Sequence, residues 1–310
     1  MPNIFARTKK KPTDNEFNYH IDKGIQWALA RIRMNFEHSP NARFHLPYHD
    51  STHTQFVIDK VDLILNTVRN VDSTMVSKRD IEIGRFAAAF HDVFIRWEKK
   101  VVREGKFNKI LRKRLLPDSI ENEKASAEIA IKYMDIVNDV HRLTVFTDDD
   151  KALVREAIEI TVPSYDPETA TVIQPRLNKD SSIVARAVAL ADIGAAGIDV
   201  KVYTDGGDRL FREENIDIYE AIKLTPSEVP EDLLEYYRNR MLNWSAFQIS
   251  FAQGRKIKSH AELSEMPNKA KDRLVKLFEN FDNSIKVSQK MYDKRGKMGF
   301  GDIVTDMGYL

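Results

Sequence analysis

Turn formers are scarce in this sequence, and that limits its possible folds more than any other feature. Twelve Gly and 11 Pro interrupt 310 residues, about 7% where average usage is about 12%. A many-stranded sandwich, barrel or propeller needs far more punctuation. Apolar residues recur instead at the helical period. Val57, Val61, Ile64, Leu65 and Val68 form one stripe, and Ile83, Phe86, Ala87, Phe90 and Phe94 another. The pattern predicts helices over 24–36, 51–68, 77–95, 121–140, 149–161 and 181–196, then two long ones over 231–254 and 260–294. No segment sustains two-residue alternation. The expected class is all-α, with 162–176 and 200–215 as loops. Residues 1–16 read as a flexible basic arm, 17–294 as one helical domain, and the glycine-bearing 295–310 as an irregular tail.

Composition narrows the chemistry. Hydrophobic content of 42% and charged content of 31% suit a folded, soluble chain. With no Cys, disulfides, thiolate nucleophiles, iron–sulfur clusters and Cys-ligated zinc are excluded, so any metal must sit on His, Asp, Glu or backbone oxygen. The net charge of +1 gives no whole-chain pull toward nucleic acid or membrane. The first residues are basic but lack an apolar core, so they do not read as a signal peptide. The longest apolar run is broken by Asp192 and is too short to cross a bilayer. A cytoplasmic protein is expected. Phosphate-loop, dinucleotide-fold, serine-hydrolase and zincin motifs are all missing.

Three places put ionisable groups where apolar stripes should continue. His49 and His53 lie four apart in YHDSTH, and the same register runs on to Val57 and Val61. His91-Asp92 is flanked by Ala and Phe in AAAFHDVF, and Asp192 extends the stripe of Val184 and Val188. Each alone fits a hydrogen-bonded structural residue. Together, His53, His91, Asp92 and Asp192 make a ligand set for a divalent transition metal, because a buried charge needs a partner or an ion. Helical scaffolds build such sites from inward side chains on facing helices.

The ordered pattern His, His-Asp, Asp resembles the HD-domain superfamily of metal-dependent phosphohydrolases. YHDSTH (48–53) resembles the opening motif of cyclic-nucleotide phosphodiesterases and of a group of small predicted HD phosphohydrolases. AAAFHDV (87–93), ENEKASAEIA (121–130) and ALADIGAAG (189–197) resemble later motifs of the small group. The resemblance implies an HD-like helical bundle with added C-terminal helices. It implies metal ligands at His53, His91, Asp92 and Asp192, with Asp92 able to bridge to a second ion. It also implies His49 as the acid that protonates the leaving oxygen, and Asn122 and Glu123 close to the metal. Mn, Mg, Zn, Fe, Co and Ni are not distinguished. Ser164 stands where the small group carries a His, which argues against a second metal held wholly by histidines.

Directly after His91-Asp92, residues 96–114 hold nine basic and two acidic residues, a local charge of +7. The expectation is a basic insertion or lid over 96–120. Arg96, Lys99, Lys100 and Arg103, with Arg43, would then neutralise a phosphate-bearing substrate. Trp97 and Phe107 are the segment's only aromatic residues, which favours a nucleotide over a long nucleic acid. The expected function is hydrolysis of a phosphoester in a nucleotide-like molecule. The alternative is a non-catalytic HD-like module that senses a nucleotide or docks a protein. Monomer and homodimer are both left open. In the C-terminal helical region, Arg240, Trp244, Gln248, Phe251 and Arg255 lie about one turn apart and read as a packing stripe with polar ends.

Overall fold

The computed structural model describes residues 12–39, 45–114, 121–222 and 228–310. Helices make up nearly all of the regular structure, so the all-α class holds. Helix α1 (Asp14–Ile32) starts at a capping box in which Thr13 and Glu16 bond each other's backbone N–H. Asp14 to Glu16, expected in the arm, are therefore helical, while residues 1–11 lie outside the described residues. The helix ends in one wider turn, Arg33–Glu37, closed by an i to i+5 bond from His38 N–H to Arg33 O.

Helices α2 (Ser51–Val71) and α3 (Lys78–Phe90) follow, capped by Asp50 and Ser77. Helices α4 (Asn122–His141) and α5 (Asp148–Glu159) come next, the latter behind a Thr147–Asp150 capping box. Helix α6 (Ile183–Asp192) is capped by Ser182. α2, α3, α5 and α6 pack on one another, with α1 against α3 and α4 against α5. The predicted stripes are the core: Val57, Val61, Ile64, Leu65, Ile83, Phe86 and Phe90 are almost fully buried. Each side chain of this size contributes about 1.5–3 kcal/mol.

Two expectations fail in the middle of the chain. The basic segment is neither loop nor helix. It is an antiparallel hairpin of β1 (Trp97–Glu104) and β2 (Phe107–Arg114), paired from Trp97 opposite Arg114 to Glu104 opposite Phe107. The two-residue connection puts Gly105 at φ +61, the conformation a type II′ hairpin turn asks of its first central residue. Residues 115–120 of the expected lid lie outside the described residues. A smaller hairpin, β3 (Ser164–Asp166) and β4 (Thr171–Ile173), occupies the first expected loop. The second is helical: after the short α7 (Ala195–Ile198), α8 (Val200–Glu214) fills it, and α9 (Ile216–Ile222) follows directly. Its inward residues include Gly206, Asp208 and Glu213, so no apolar stripe betrays it.

The C-terminal part is one long helix and three shorter ones: α10 (Glu231–Ser264), α11 (Asn268–Leu277), α12 (Phe281–Arg295) and α13 (Phe300–Asp306). The break comes after Ser264, not at Gly254. Gly254 is mid-helix because a Cβ there would lie 2.2 Å from Thr169 O and 2.7 Å from Thr171 Cβ, so only glycine lets the β3–β4 hairpin seat on α10. The tail is not irregular. Ile303 and Val304 are buried with Phe211, Ile218 and Met241. Arg295, 1% exposed, bonds Asp208 on α8, Ser245 on α10 and Asp306 on α13. Among the described residues, no helix is long and apolar enough to cross a membrane.

Candidate metal centre

Helix ends deliver the ligand atoms. Asp50 caps α2 by accepting from His53 N–H at 2.8 Å, which puts His53 in the first turn with its ring inward. His91 and Asp92 directly follow α3, and Asp192 is the last residue of α6. The two imidazoles and Asp92 are buried, at 5%, 2% and 6% exposure.

The ring of His91 is oriented from behind. Its Nδ1 lies 2.7 Å from Ala88 O. A carbonyl only accepts, so Nδ1 carries a proton, and in the neutral ring Nε2 is left with its lone pair. That lone pair faces carboxylates: Asp92 Oδ2 at 3.1 Å and Asp192 Oδ1 at 3.5 Å. His53 Nε2 is 3.3 Å from Asp192 Oδ1 and 3.7 Å from Asp92 Oδ2. Neither Nε2 has an aligned hydrogen-bond partner, although both are buried.

Lone pairs aimed at one another repel unless positive charge lies between them. The titration behaviour states the same demand. Burial pushes His91 down, but Asp92 and Asp192 outweigh it and hold its pKa well above the ordinary imidazole value. Burial would push Asp192 up, but His53 and His91 hold it well below the usual carboxylate range. Either a proton or a cation would satisfy these atoms. Two atoms bound to one divalent ion at about 2.1 Å stand about 3.0 Å apart at a right angle and about 3.4 Å apart at a tetrahedral one. Two of the four separations, 3.1 and 3.3 Å, fall within that range, and the other two, 3.5 and 3.7 Å, lie just above it. His53, His91 and Asp192 offer atoms all within 4.8 Å of one another and could hold a metal ion, and Asp92 reaches both imidazoles. Gln174, 4% exposed beside β4, donates from Nε2 to Asp192 Oδ2 at 3.1 Å and orients it.

A second buried pair lies beside the first. His49 Nδ1 is 2.5 Å from Glu213 Oε1. The other carboxylate oxygen accepts from the backbone N–H of Tyr48 at 2.9 Å and of His49 at 3.2 Å. Burial pushes the Glu213 carboxyl up, but the His49 imidazole and these N–H groups outweigh it, so it stays ionised. Tyr48 packs between the pairs, its ring 4.8 Å from His49 and 4.7 Å from His53. Burial, then Asp192 and Asp92, push its phenol up, so it remains a neutral donor.

A cavity of about 440 Å³ joins these groups. Tyr48, His49, His53, Asp92, Glu123 and Asp192 line its polar side, and Phe56, Val172, Tyr203, Trp244, Phe247 and Phe251 its apolar side. Arg209 also lines it, held 2.7 Å from Asp50 Oδ2. It is the one basic side chain other than histidine among the described lining residues.

The predicted site residues divide accordingly. His49, His53, Asp92, Glu123 and Asp192 meet at the cavity, with His91 against them. Arg96, Lys99, Lys100 and Arg103 do not line it; they are exposed on or beside the hairpin. Arg43 lies outside the described residues. Asn122 clamps the chain after His91-Asp92, bonding Arg96 N–H at 2.8 Å and Arg96 O at 3.1 Å. Trp244, Gln248 and Phe251, read as packing, line the cavity, whereas Arg240 and Arg255 form internal ion pairs with Asp217 and Glu262. Arg209, Glu213 and Gln174 went unread in the sequence. They sit in segments taken as loops, and the only signal was polar residues at helical spacing through 204–213. No family model matches the chain, and neither does any curated protein or solved structure.

Proposed function

We propose that the chain is a metal-dependent phosphohydrolase that cleaves a phosphoester of a small, nucleotide-like molecule. One observation carries this reading. Two buried imidazole nitrogens without hydrogen-bond partners converge with Asp92 and Asp192 at a cavity also lined by His49, which Glu213 holds from behind. His53, His91, Asp92 and Asp192 would hold the ion, two carboxylates balancing a divalent charge and two imidazoles staying neutral. Such an ion supplies Lewis acidity towards a phosphoryl oxygen and makes water a better nucleophile near neutral pH.

The remaining work falls to the chain. Glu213 fixes the proton of His49 on Nδ1 and stabilises positive charge on the ring, so Nε2 is the atom that hands a proton to the leaving oxygen. Arg209 supplies counter-charge, trading Asp50 for the substrate phosphate. The wall of Tyr203, Trp244, Phe247 and Phe251 receives the organic part of the substrate and excludes water. A volume of about 440 Å³ suits a small molecule and not a folded polymer.

The test is metal analysis of the purified protein, then turnover of nucleotides and of a generic phosphodiester with each of the six metals. Expected is metal-dependent release of product that His91→Ala abolishes. Metal-replete protein that turns over neither class refutes the reading. Tight calorimetric binding of a nucleotide without product would favour the non-catalytic sensor.

A further inference from the structure

The most concentrated charge on the molecule lies outside the cavity. Residues 96–114 carry +7 while the whole chain carries +1, so the other residues together carry −6. The structure presents this charge as a two-stranded ribbon. β2 packs against α8 and α9, Ile110 N–H donating to Asp217 at 3.1 Å, while β1 forms the outer edge. At the tip, Phe107 stacks on Tyr236 at 4.6 Å, the Tyr236 hydroxyl donates to Glu104 at 2.7 Å, and Lys106 pairs with Asp232. A ribbon pinned along one strand and at its tip is not poised as a lid.

Six of its nine cations fall into two groups of three. Lys106, Lys109 and Arg112 are engaged, with Asp232, Glu104 and the His45 carbonyl. Lys99, Lys100 and Arg103 on the outer strand are exposed and have no ion-pair partner among the described residues. Alternation puts Lys99 and Arg103 on one face, with Arg112 directly opposite Lys99. Lys100 is on the other face, and its long stem can reach round the edge.

We infer that this ribbon is a docking surface for the phosphate backbone of a nucleic acid. With β2 and the tip held against the helices, the exposed edge strand offers Lys99 and Arg103 on one face and Lys100 at its rim, and closely spaced cations on a fixed strand suit a regular polyanion. The ribbon's aromatic rings are already covered, Trp97 by Arg112 at 4.5 Å and Phe107 by Tyr236. Recognition therefore runs through phosphates and not base stacking. A membrane surface fits poorly, since Val101 is the ribbon's one exposed large apolar residue and the tip is polar. Charges on an edge strand also block strand-to-strand aggregation, but either sign does that, and it confers no salt-linked affinity. Docking needs neither the metal nor turnover at the cavity, so it stands or falls separately from the phosphohydrolase reading.

The experiment is fluorescence anisotropy of labelled duplex DNA and RNA with the full chain, from about 50 to 200 mM salt. The comparison is with a Lys99→Gln, Lys100→Gln, Arg103→Gln triple variant. Three phosphate contacts contribute about −2.7 to the log–log salt slope, or about 40-fold in affinity across that range. The triple variant should lose that part of the slope, with an unchanged thermal melt. No binding at the lowest salt, or equal binding by the triple variant, would overturn the inference. So would polyglutamate or phosphatidylserine vesicles binding as tightly as duplex.

Discussion

Replacing His91 by Ala separates a metal ligand from a structural histidine. Without metal, the change removes the hydrogen bond to Ala88 O at 2.7 Å, leaves a cavity at a position 2% exposed and takes a ring from beside Asp92 and Asp192, so the metal-free melt falls in its own right and the readout is the metal-induced rise within each protein. With metal the arithmetic differs. An ion at 100 times its dissociation constant stabilises the folded state by about 2.7 kcal/mol. Loss of a ligand should weaken affinity at least as much as loss of an outer partner, about 10–100-fold. At the same metal concentration the stabilisation then falls to about 0.4–1.4 kcal/mol. At about 2 °C per kcal/mol for a chain of this size, the metal-induced rise in Tm drops from about 5 °C to below about 3 °C. Thermal melts of wild type and His91→Ala, each with added metal and with chelator, measure this directly. Equal metal-induced rises in the two proteins would refute the site, as would no rise in wild type at any of the six metals.

Other outcomes follow from single contacts. Gln174→Leu removes the donor to Asp192 and should weaken metal binding about 10–100-fold in calorimetry while shifting the metal-free melt little. Gly254→Ala drives a Cβ to within 2.2 Å of a backbone oxygen, so denaturant unfolding should show a loss of about 1–3 kcal/mol. Asp150 is held below its ordinary value because, against burial, Arg79 and the Thr147 groups favour its charged form. A depressed carboxylate contributes stability above its unfolded pKa, about 3.9, and loses it as pH falls through the folded value. Asp150→Asn should therefore be less stable than wild type at pH 7, and the gap should close in strongly acid solution.

Helix content was legible because it is local. Stripes such as Val57–Val68, and caps such as Ser77, Thr147 and Ser182, act within a few residues of themselves. The candidate metal cluster was legible for a related reason: His53, His91 and Asp192 each place a polar group where a local apolar pattern should continue. The β1–β2 hairpin was not legible, because charged residues on both faces erase the alternation that marks a strand. Its trace was Gly105 between two runs containing Val101, Val102 and Ile110. Helix α8 was hidden by the opposite fault, a helix whose inward face carries Asp208 and Glu213.

By itself the sequence determined the all-α class, the core stripes and the polar side chains that interrupt them at the candidate metal cluster, all of which depend on neighbours within a turn or two. Only the tertiary structure decided which distant residues complete the site. It brought Glu213 to His49, Gln174 to Asp192 and Arg209 to the cavity, and it turned the basic segment outward, away from that cavity. Those choices depend on how helices stack across long chain separations, where buried polar atoms must find partners wherever the packed chain happens to supply them.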